Sequence, residues 1–188
     1  MTNQDFDPNR LFGLLQSGKL PPVHRWNPPF CGDIDMRIAR DGTWYYCGSP
    51  IGRKPMVKLF SSVLRRDSDD RYYLVTPVEK VGSTVADAPF LAVEMKVEGE
   101  GRAQQLIFRT NVDDVVVAGP EHPIRVEIAP ESKEPSPYIL VRDRLEALVA
   151  RPVFYDLVEI AEERPVGNVP TLGVWSSGSF FPLGPVPC

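Results

Sequence analysis

Proline occurs along the whole of this chain, and its distribution limits the structures that the chain can form. There are 20 prolines among 188 residues, about twice the roughly 5% that is usual in proteins. Because proline lacks a backbone N–H and collides with the preceding helical turn, it interrupts helices and central strands. The sequence therefore favours many short elements with rigid connections over long helices.

The rest of the composition is that of a soluble globular protein. The chain is 43% hydrophobic and 24% charged, close to the average of folded domains. Residues 1–7 lack the features of a signal peptide, and no apolar run approaches the roughly 18 residues of a membrane helix. The three cysteines, Cys31, Cys47 and Cys188, form no CxxC pair. We expect a reduced, cytoplasmic protein without a membrane partner.

The clearest local pattern is a β-hairpin near residue 41. Apolar and polar residues alternate from residue 34 to residue 39, and Asp41-Gly42 is a typical two-residue hairpin turn. Counting outward from that turn pairs Ala39 with Trp44. The face predicted to enter the core carries Ile34, Met36, Ile38 and Tyr45. The opposite face carries Asp35, Arg37, Trp44 and Tyr46.

The other predicted elements divide the chain at residue 86. In residues 1–86, Asp7 and Pro8 begin a short helix, the 3.6-residue period over residues 56–64 predicts an amphipathic helix, and residues 72–75 form a strand. Residues 87–188 contain short strands at 90–97, 106–109, 115–117, 124–128 and 138–141. A helix is predicted to begin at Leu145, and its period either continues or restarts beyond Pro152 and runs to Ala161. The Gly/Pro-rich tail after Pro165 is expected to be irregular.

The two halves share one similar segment. Residues 34–39 read IDMRIA and residues 124–129 read IRVEIA. Each segment precedes a tyrosine-bearing strand, with Tyr45 or Tyr138, and then an amphipathic helix. A duplicated strand–strand–helix unit explains the match, and chance similarity between alternating strands explains it equally well.

Sequence signatures of enzymes are absent. There is no phosphate-binding GxxxxGK[ST] loop, no GxGxxG segment after a strand and no GxSxG nucleophile elbow. The two histidines, His24 and His122, do not have the spacing of metal ligands. We therefore predict no catalytic residue, no metal and no cofactor, and we expect a binding protein more than an enzyme.

Charge is distributed unevenly along the chain. The overall formal charge is −4, which argues against a polybasic protein that coats extended nucleic acid. Residues 1–86 nevertheless carry +3, and residues 87–188 carry −7. Arg53 and Lys58 lie near the start of the predicted amphipathic helix, where they either bind an anion or form an ordinary solvated face.

Two further groups of residues are candidates for ligand contact. On the polar face of the hairpin, Arg37, Trp44 and Tyr46 either contact a planar group or pack against the rest of the protein. In the connection between the halves, Glu79, Lys80 and Asp87 either line an interdomain cleft or fix the angle between the domains. The sequence does not decide between these alternatives.

Several longer motifs resemble a bacterial family known as domain of unknown function 1285. They are CGDIDMRIARDGTW at residues 31–44, GSPIGR at 48–53, LVTPVEK at 74–80, DAPF at 87–90, PYILVR at 137–142 and RPVFYDL at 151–157. The resemblance covers the chain from about Leu20 to Glu162. It implies an α+β fold of two β-rich subdomains related by duplication, the second loosely similar to pleckstrin-homology domains. It also implies a ligand site at the domain interface and a role in signal transduction.

Three functions follow from these observations. The first is a cytoplasmic sensory protein that binds a small anionic, nucleotide-like ligand through Arg37, Trp44, Tyr46, Arg53 and Lys58, with Glu79, Lys80 and Asp87 at the cleft. The second is a protein–protein interaction adaptor without a small ligand. The third and weakest is an enzyme in which Glu79 and Asp87 act as acid and base.

Overall fold

The structure is a computed structural model that describes residues 19–186 of the chain. The helix predicted to begin at Asp7 lies outside the described residues. The chain divides into two compact units. The first unit runs to residue 86 without residues 40–42, and the second contains residues 40–42 and continues from residue 87. Neither α-helix of the described residues is long and apolar enough to cross a membrane.

A six-stranded sheet and one α-helix build the first unit. In chain order the elements are β1 (Phe30–Ile38), β2 (Trp44–Tyr46), β3 (Ser49–Pro50), α1 (Lys54–Ser62), β4 (Leu64–Arg66), β5 (Tyr72–Val75) and β6 (Lys80–Val85). The strand order is β3-β2-β1-β6-β5-β4. Strands β1 and β6 are parallel, and the other neighbours are antiparallel.

Helix α1 covers one face of this sheet. Proline in its first turn suits the helix start, because the missing N–H would have no helical partner there. Leu59 and Phe60 are buried, and the Phe60 ring stacks on Trp44 with a centroid distance of 6.3 Å. The apolar row Leu64, Leu74 and Val81, one residue from each of three adjacent strands, completes the core on this face.

The β-hairpin exists, but its predicted register was wrong by one residue. The Ala39 N–H donates to the Thr43 carbonyl oxygen at 2.9 Å, so the loop has three residues instead of two. Gly42 takes a φ of +84° at the end of that loop, as expected where a three-residue loop ends in a left-handed residue. Ile38 therefore pairs with Trp44. A one-residue shift moves each side chain to the other face, and Trp44 is in the core, 1% exposed.

The second unit contains nine strands and one α-helix. In chain order they are β7 (Phe90–Glu98), β8 (Gln105–Thr110), β9 (Val115–Val117), β10 (Ile124–Ile128), β11 (Pro135–Arg142), β12 (Leu145–Val149), α2 (Arg151–Glu159), β13 (Glu162–Val166), β14 (Val169–Ser176) and β15 (Ser179–Pro185). The larger sheet has the order β10-β11-β12-β7-β8-β9, and β13-β14-β15 form a second sheet.

Two predictions for the second unit were wrong. The helix predicted from Leu145 begins only at Arg151, because residues 145–149 form β12, in which alternate side chains are buried. Pro152 lies in the first turn of α2, where it is tolerated, and not inside a longer helix. The tail expected to be irregular after Pro165 forms most of the three-stranded sheet.

The described fold is mostly β with two α-helices, in the two β-rich parts that were expected. The two six-stranded sheets have the same strand order, since each joins two three-stranded meanders through a parallel central pair, β1 with β6 and β7 with β12. The similar segments IDMRIA and IRVEIA do not occupy equivalent positions, however. The first lies in the central strand β1, and the second lies in the edge strand β10.

Candidate functional site

The predicted hairpin cluster is divided between the two faces of the first sheet. Trp44 lies on the face covered by α1, and Tyr46, two residues along the same strand, is 45% exposed. Arg37 lies on the other face, with its guanidinium carbon 4.4 Å from the centroid of the Tyr45 ring. The prediction that Arg37, Trp44 and Tyr46 share one face was therefore wrong, because it depended on the wrong register.

Arg53 and Lys58 lie at the start of α1 and in its second turn. Arg53 is the residue before the helix, and both side chains are exposed. No side chain caps this end of the helix. Anion binding by these two residues stays a prediction.

Lys80 belongs to a network of ion pairs within the first unit. Its Nζ lies 3.0 Å from Oδ2 of Asp67 and 4.5 Å from the centroid of the Tyr73 ring. Arg65 binds the same carboxylate at 2.5 Å and also donates to the Val23 carbonyl oxygen at 2.8 Å. Burial opposes ionisation of Asp67, but hydrogen bonds from Arg65 and Lys80 outweigh it and lower the pKa of this carboxyl. Lys80 thus has a structural partner.

Glu79 closes the turn that precedes β6. The Thr76 N–H donates to the Glu79 carbonyl oxygen at 2.9 Å, and the Thr76 hydroxyl accepts from the Glu79 N–H at 3.1 Å. These bonds use the main chain of Glu79 and fix the turn. A role for its carboxylate in ligand contact stays a prediction.

Asp87 lies in the second unit, where two side chains hold its carboxylate. Arg40 Nε is 2.9 Å from Oδ2, and the Tyr138 hydroxyl donates to Oδ1 at 2.7 Å. Burial, together with this hydrogen bond, raises the pKa of Tyr138 to about 12. The Arg125 guanidinium carbon lies 4.3 Å from the centroid of the Tyr138 ring. Both oxygens of Asp87 thus have a bonding partner within its own unit.

A group of side chains that the sequence did not reveal lies at the smaller sheet of the second unit. The guanidinium carbons of Arg102 and Arg164 lie 5.0 and 4.9 Å from the centroid of the Trp175 ring. The Phe180 ring meets Trp175 edge to face, with centroids 5.3 Å apart, and Arg164 also approaches Phe180 at 5.4 Å. We call Arg102, Arg164, Trp175 and Phe180 the arginine–aromatic cluster.

Backbone and amide hydrogen bonds hold Arg102 beside Trp175. A short 3₁₀ turn, Gly101–Ala103, follows β7. The Gly178 N–H donates to the Arg102 carbonyl oxygen at 3.1 Å, and the Gln104 side-chain amide donates to the Trp175 carbonyl oxygen at 2.9 Å. These bonds join the turn to the β14–β15 hairpin. The backbone of the turn and of the hairpin therefore holds Arg102 next to Trp175 without a ligand.

Gly173 makes room for the Phe180 ring. A Cβ at this position would lie 2.3 Å from Cζ of Phe180 and 2.7 Å from the Phe181 carbonyl oxygen. The ring therefore lies directly over the glycine backbone. Any larger residue at position 173 displaces either the ring or the neighbouring strand.

The two arginines of the cluster differ in their partners from three other arginines of their unit. Arg109, Arg125 and Arg142 each form an ion pair with a carboxylate. Within residues 19–186, Arg102 and Arg164 contact aromatic rings and form no ion pair. A guanidinium that lies against a ring keeps its N–H groups available for phosphate or carboxylate oxygens. The cluster is thus the place in this unit where two cations without an acidic partner meet one aromatic ring.

Two protein-family models match this chain, one over each of its two units. Residues 21–88 match the family described as "Domain of unknown function (DUF1285), N-terminal domain". Residues 89–183 match the family described as "Protein of unknown function (DUF1285), C-terminal domain". Comparison with curated proteins finds no match.

Two solved structures are similar to this chain. A DUF1285 family protein from Silicibacter pomeroyi DSS-3 has 57% sequence identity and a TM-score of 0.84, and the match covers 91% of each chain. A DUF1285 family protein from Shewanella baltica OS155 has 27% identity and a TM-score of 0.52 over 67% of this chain and 91% of that chain. With both family domains matched along its length, the chain belongs to the DUF1285 family.

Proposed function

We propose that this protein binds a small ligand with two anionic groups at the arginine–aromatic cluster, and that it acts as a ligand-binding, sensory protein and not as an enzyme. One observation carries the proposal: Arg102 and Arg164 lie against the same indole ring, and neither pairs with a carboxylate of the described residues. Guanidinium groups bind phosphate and carboxylate oxygens through paired hydrogen bonds. A ligand that reaches both arginines replaces the ion pairs that they lack.

Stacking on Trp175 favours this binding by reducing its entropic cost. A free arginine side chain loses rotamer freedom when it orders around an anion. Here the rings of Trp175 and Phe180 already restrict the two guanidinium groups. Less entropy remains to be lost when the anion binds, and the affinity is correspondingly higher.

The acidic character of the second half of the chain does not oppose such a site. Residues 87–188 carry a formal charge of −7. At physiological ionic strength, however, exposed charges further apart than about 8 Å are largely screened from one another. Several of the acidic residues are also neutralised in ion pairs with Arg109, Arg125 and Arg142. The acidic residues far from the cluster therefore oppose anion binding there only weakly. Glu162, two residues before Arg164 on β13 and thus on the same face, is the nearby acidic residue with which an anion competes.

Nucleotides are the first probes, because they combine anionic groups with a planar base that the half-buried Trp175 and Phe180 rings can contact. A thermal-shift series with ATP, GDP, pyrophosphate and citrate tests the proposal. A ligand present at 100 times its Kd stabilises the folded state by about 2.7 kcal/mol. We expect at least one of these compounds to raise the Tm of the full chain.

Substitutions locate the site. Arg102→Ala and Arg164→Ala should each weaken binding at least tenfold, because each removes a charge-assisted hydrogen bond. Arg151→Ala is the matched control, since Arg151 is an exposed arginine of the same unit at the start of α2. The proposal fails if none of the probes binds, or if the control weakens binding as much as the cluster variants.

We also propose that the two β-rich units descend from one ancestral unit. The shared order of the two six-stranded sheets supports this. A loose likeness of the second unit to pleckstrin-homology domains fits the placement of α2 after its sixth strand. A structure-based superposition across family members should align β1–β6 with β7–β12 in sequence order, and alignment in any other order contradicts common descent.

A further inference from the structure

One acidic residue lies on the same face of the smaller sheet as the arginine–aromatic cluster. Glu162 on β13 pairs with Gly173 on β14, and directly paired residues of antiparallel strands point to the same side. Gly173 is the residue over which the Phe180 ring lies. Glu162 and Trp175 are therefore diagonal neighbours on this face, about 7–8 Å apart. Arg164 follows Glu162 by two residues, so its side chain shares the face as well.

Glu162 makes no ion pair that would neutralise the arginines beside it. Its side chain is exposed, and within residues 19–186 it has no ion pair with Arg164 or with any other cation. Glu94, Asp114 and Glu146 of the same unit, in contrast, each pair with an arginine. The face around Trp175 therefore presents two positive groups and one negative group, all three without a partner of opposite charge among the described residues.

The two guanidinium groups are close enough for one small molecule to bridge them. The guanidinium carbons of Arg102 and Arg164 lie 5.0 and 4.9 Å from the same Trp175 centroid, so they are at most about 10 Å apart. Charge-assisted hydrogen bonds take up about 2.8 Å of that distance at each end. The carboxyl carbons of a four- or five-carbon diacid lie about 4–5 Å apart by ordinary bond lengths. A short dicarboxylate therefore fits between the two arginines.

Glu162 determines what else such a ligand must carry. A simple dianion that binds both arginines also approaches the Glu162 carboxylate, and like charges at short separation repel each other. An ammonium group on the ligand turns that repulsion into attraction, because it donates up to three hydrogen bonds to a carboxylate. The neighbouring aromatic rings favour a cation at the same place. The three charges are thus complementary to a molecule with two anionic groups and one ammonium group.

We propose that the ligand of the arginine–aromatic cluster is an acidic α-amino acid, with its two carboxylates at Arg102 and Arg164 and its ammonium group at Glu162. This inference rests on the proposed function, since it specifies the class of ligand that the same site takes. The two arginines supply affinity for dianions in general. Glu162 selects the dianions that carry an amino group.

Pairs of acids that differ only in the amino group test this assignment. Glutamate is compared with glutarate, and aspartate with succinate. The Trp175 indole N–H signal of the ¹⁵N-labelled full chain reports binding, and it is the signal that is missing from the spectrum of Trp175→Phe. At pH 7 and constant ionic strength, glutamate should bind at least fivefold more tightly than glutarate, and aspartate should show the same preference over succinate.

Substitution of Glu162 should remove the selectivity without removing the site. In Glu162→Gln, glutamate and glutarate should bind within twofold of each other, and glutarate should bind more tightly than it does to the wild type because the repulsion is gone. Glu163→Gln is the matched control. It removes the same charge from the adjacent exposed residue, whose pairing with Leu172 places it on the opposite face, and it should keep the full preference for the amino acids.

Three results overturn the inference. One is binding of glutarate and succinate that is as tight as that of their amino counterparts. Another is an equal loss of selectivity in Glu162→Gln and Glu163→Gln, which means that net charge alone is responsible. The third is binding of citrate or pyrophosphate at Trp175 with no binding of either amino acid, in which case the proposed function stands and the ligand class is wrong. If no anion binds at all, the proposed function fails, and this inference fails with it.

Discussion

Replacement of Gly173 by alanine tests how the arginine–aromatic cluster is built. The added Cβ would lie 2.3 Å from the Phe180 ring and 2.7 Å from the Phe181 carbonyl oxygen, and real Cβ atoms essentially never approach other atoms this closely. Overpacking of this kind typically costs about 1–3 kcal/mol. We expect Gly173→Ala to lower the free energy of unfolding by about 2 kcal/mol, which corresponds to a loss of about 4–8 °C in Tm for a chain of this size.

A double-mutant cycle distinguishes whether the Phe180 ring or the Phe181 carbonyl oxygen is the main obstacle to that Cβ. If the ring is the main obstacle, Phe180→Ala removes it, and Gly173→Ala then costs less than about 0.5 kcal/mol in the Phe180→Ala background. Urea unfolding of the wild type, both single variants and the double variant measures the coupling. Gly52→Ala is the matched control, because a Cβ at Gly52 would have no atom within 4 Å and the backbone there has no positive φ. An additive cycle would refute the reasoning, since it shows that Phe180 does not oppose the new side chain.

Three further predictions concern buried hydrogen bonds and ionisation. Ser176→Ala removes the acceptor of the buried Leu106 N–H and one donor to the buried Ala118 carbonyl oxygen. Urea unfolding should therefore show a free energy of unfolding that is lower by about 2–3 kcal/mol. A decrease below about 0.5 kcal/mol contradicts the assigned bonds. The pKa of Asp67 is lowered in the folded protein, so its ionised carboxylate stabilises the fold above the ordinary pKa of 3.8, and this stabilisation is lost as the pH falls below it. The difference in unfolding free energy between the wild type and Asp67→Asn should therefore shrink from pH 5 to pH 3. A difference that stays constant over this range contradicts the prediction. Burial and the hydrogen bond to Asp87 raise the pKa of Tyr138 to about 12, so its contribution to stability is present below the ordinary pKa of 10 and is lost between pH 10 and pH 12. In a titration of tyrosine absorbance at 295 nm, Tyr138→Phe should remove the ionisation step near pH 12. If the step persists, another tyrosine is responsible for it.

The hairpin shows which part of a strand prediction depends on the turn. Alternating hydrophobicity located β1 correctly, and Asp41-Gly42 correctly marked a reversal of the chain. The loop nevertheless includes Arg40, and Gly42 occupies its last position with a φ of +84°. Two-residue and three-residue loops share the same Asp-Gly signal. Because the side-chain period of a strand is two residues, the difference of one residue moved Trp44 from a predicted ligand face into the core.

Residues 145–149 show how two periodicities can coexist in one short segment. Leu145, Leu148 and Val149 have helical spacing, whereas Leu145, Ala147 and Val149 have strand spacing. The apolar run is too short for periodicity to decide between them. Parallel pairing of β12 with β7 decides in favour of a strand. That partner lies more than fifty residues earlier in the chain, so no local pattern could have revealed it.

The arginine–aromatic cluster was missed for a related reason. Its members come from a turn after β7, from β13 and from the β14–β15 hairpin, so their contacts join positions far apart in sequence. One local signal was available. Ser177-Gly178 has positive φ at both residues, 52° and 77°, as the tight turns favoured in two-residue hairpins require. Reading that dipeptide as a turn would have paired Trp175 with Phe180 across the hairpin, but it would not have located either arginine.

Formal charge did not point to the arginine–aromatic cluster, because a net charge does not show how the charges are paired. The excess of cations in residues 1–86 directed attention to Arg53, Lys58 and Lys80, yet Lys80 is bound to Asp67. The acidic second half, in contrast, contains Arg102 and Arg164, whose guanidinium groups rest on an aromatic ring without a carboxylate. A sum of charges counts a neutralised cation and an available one equally. Only the available cations can bind an anion, so the sign of a segment's net charge is a poor guide to which of its residues are available.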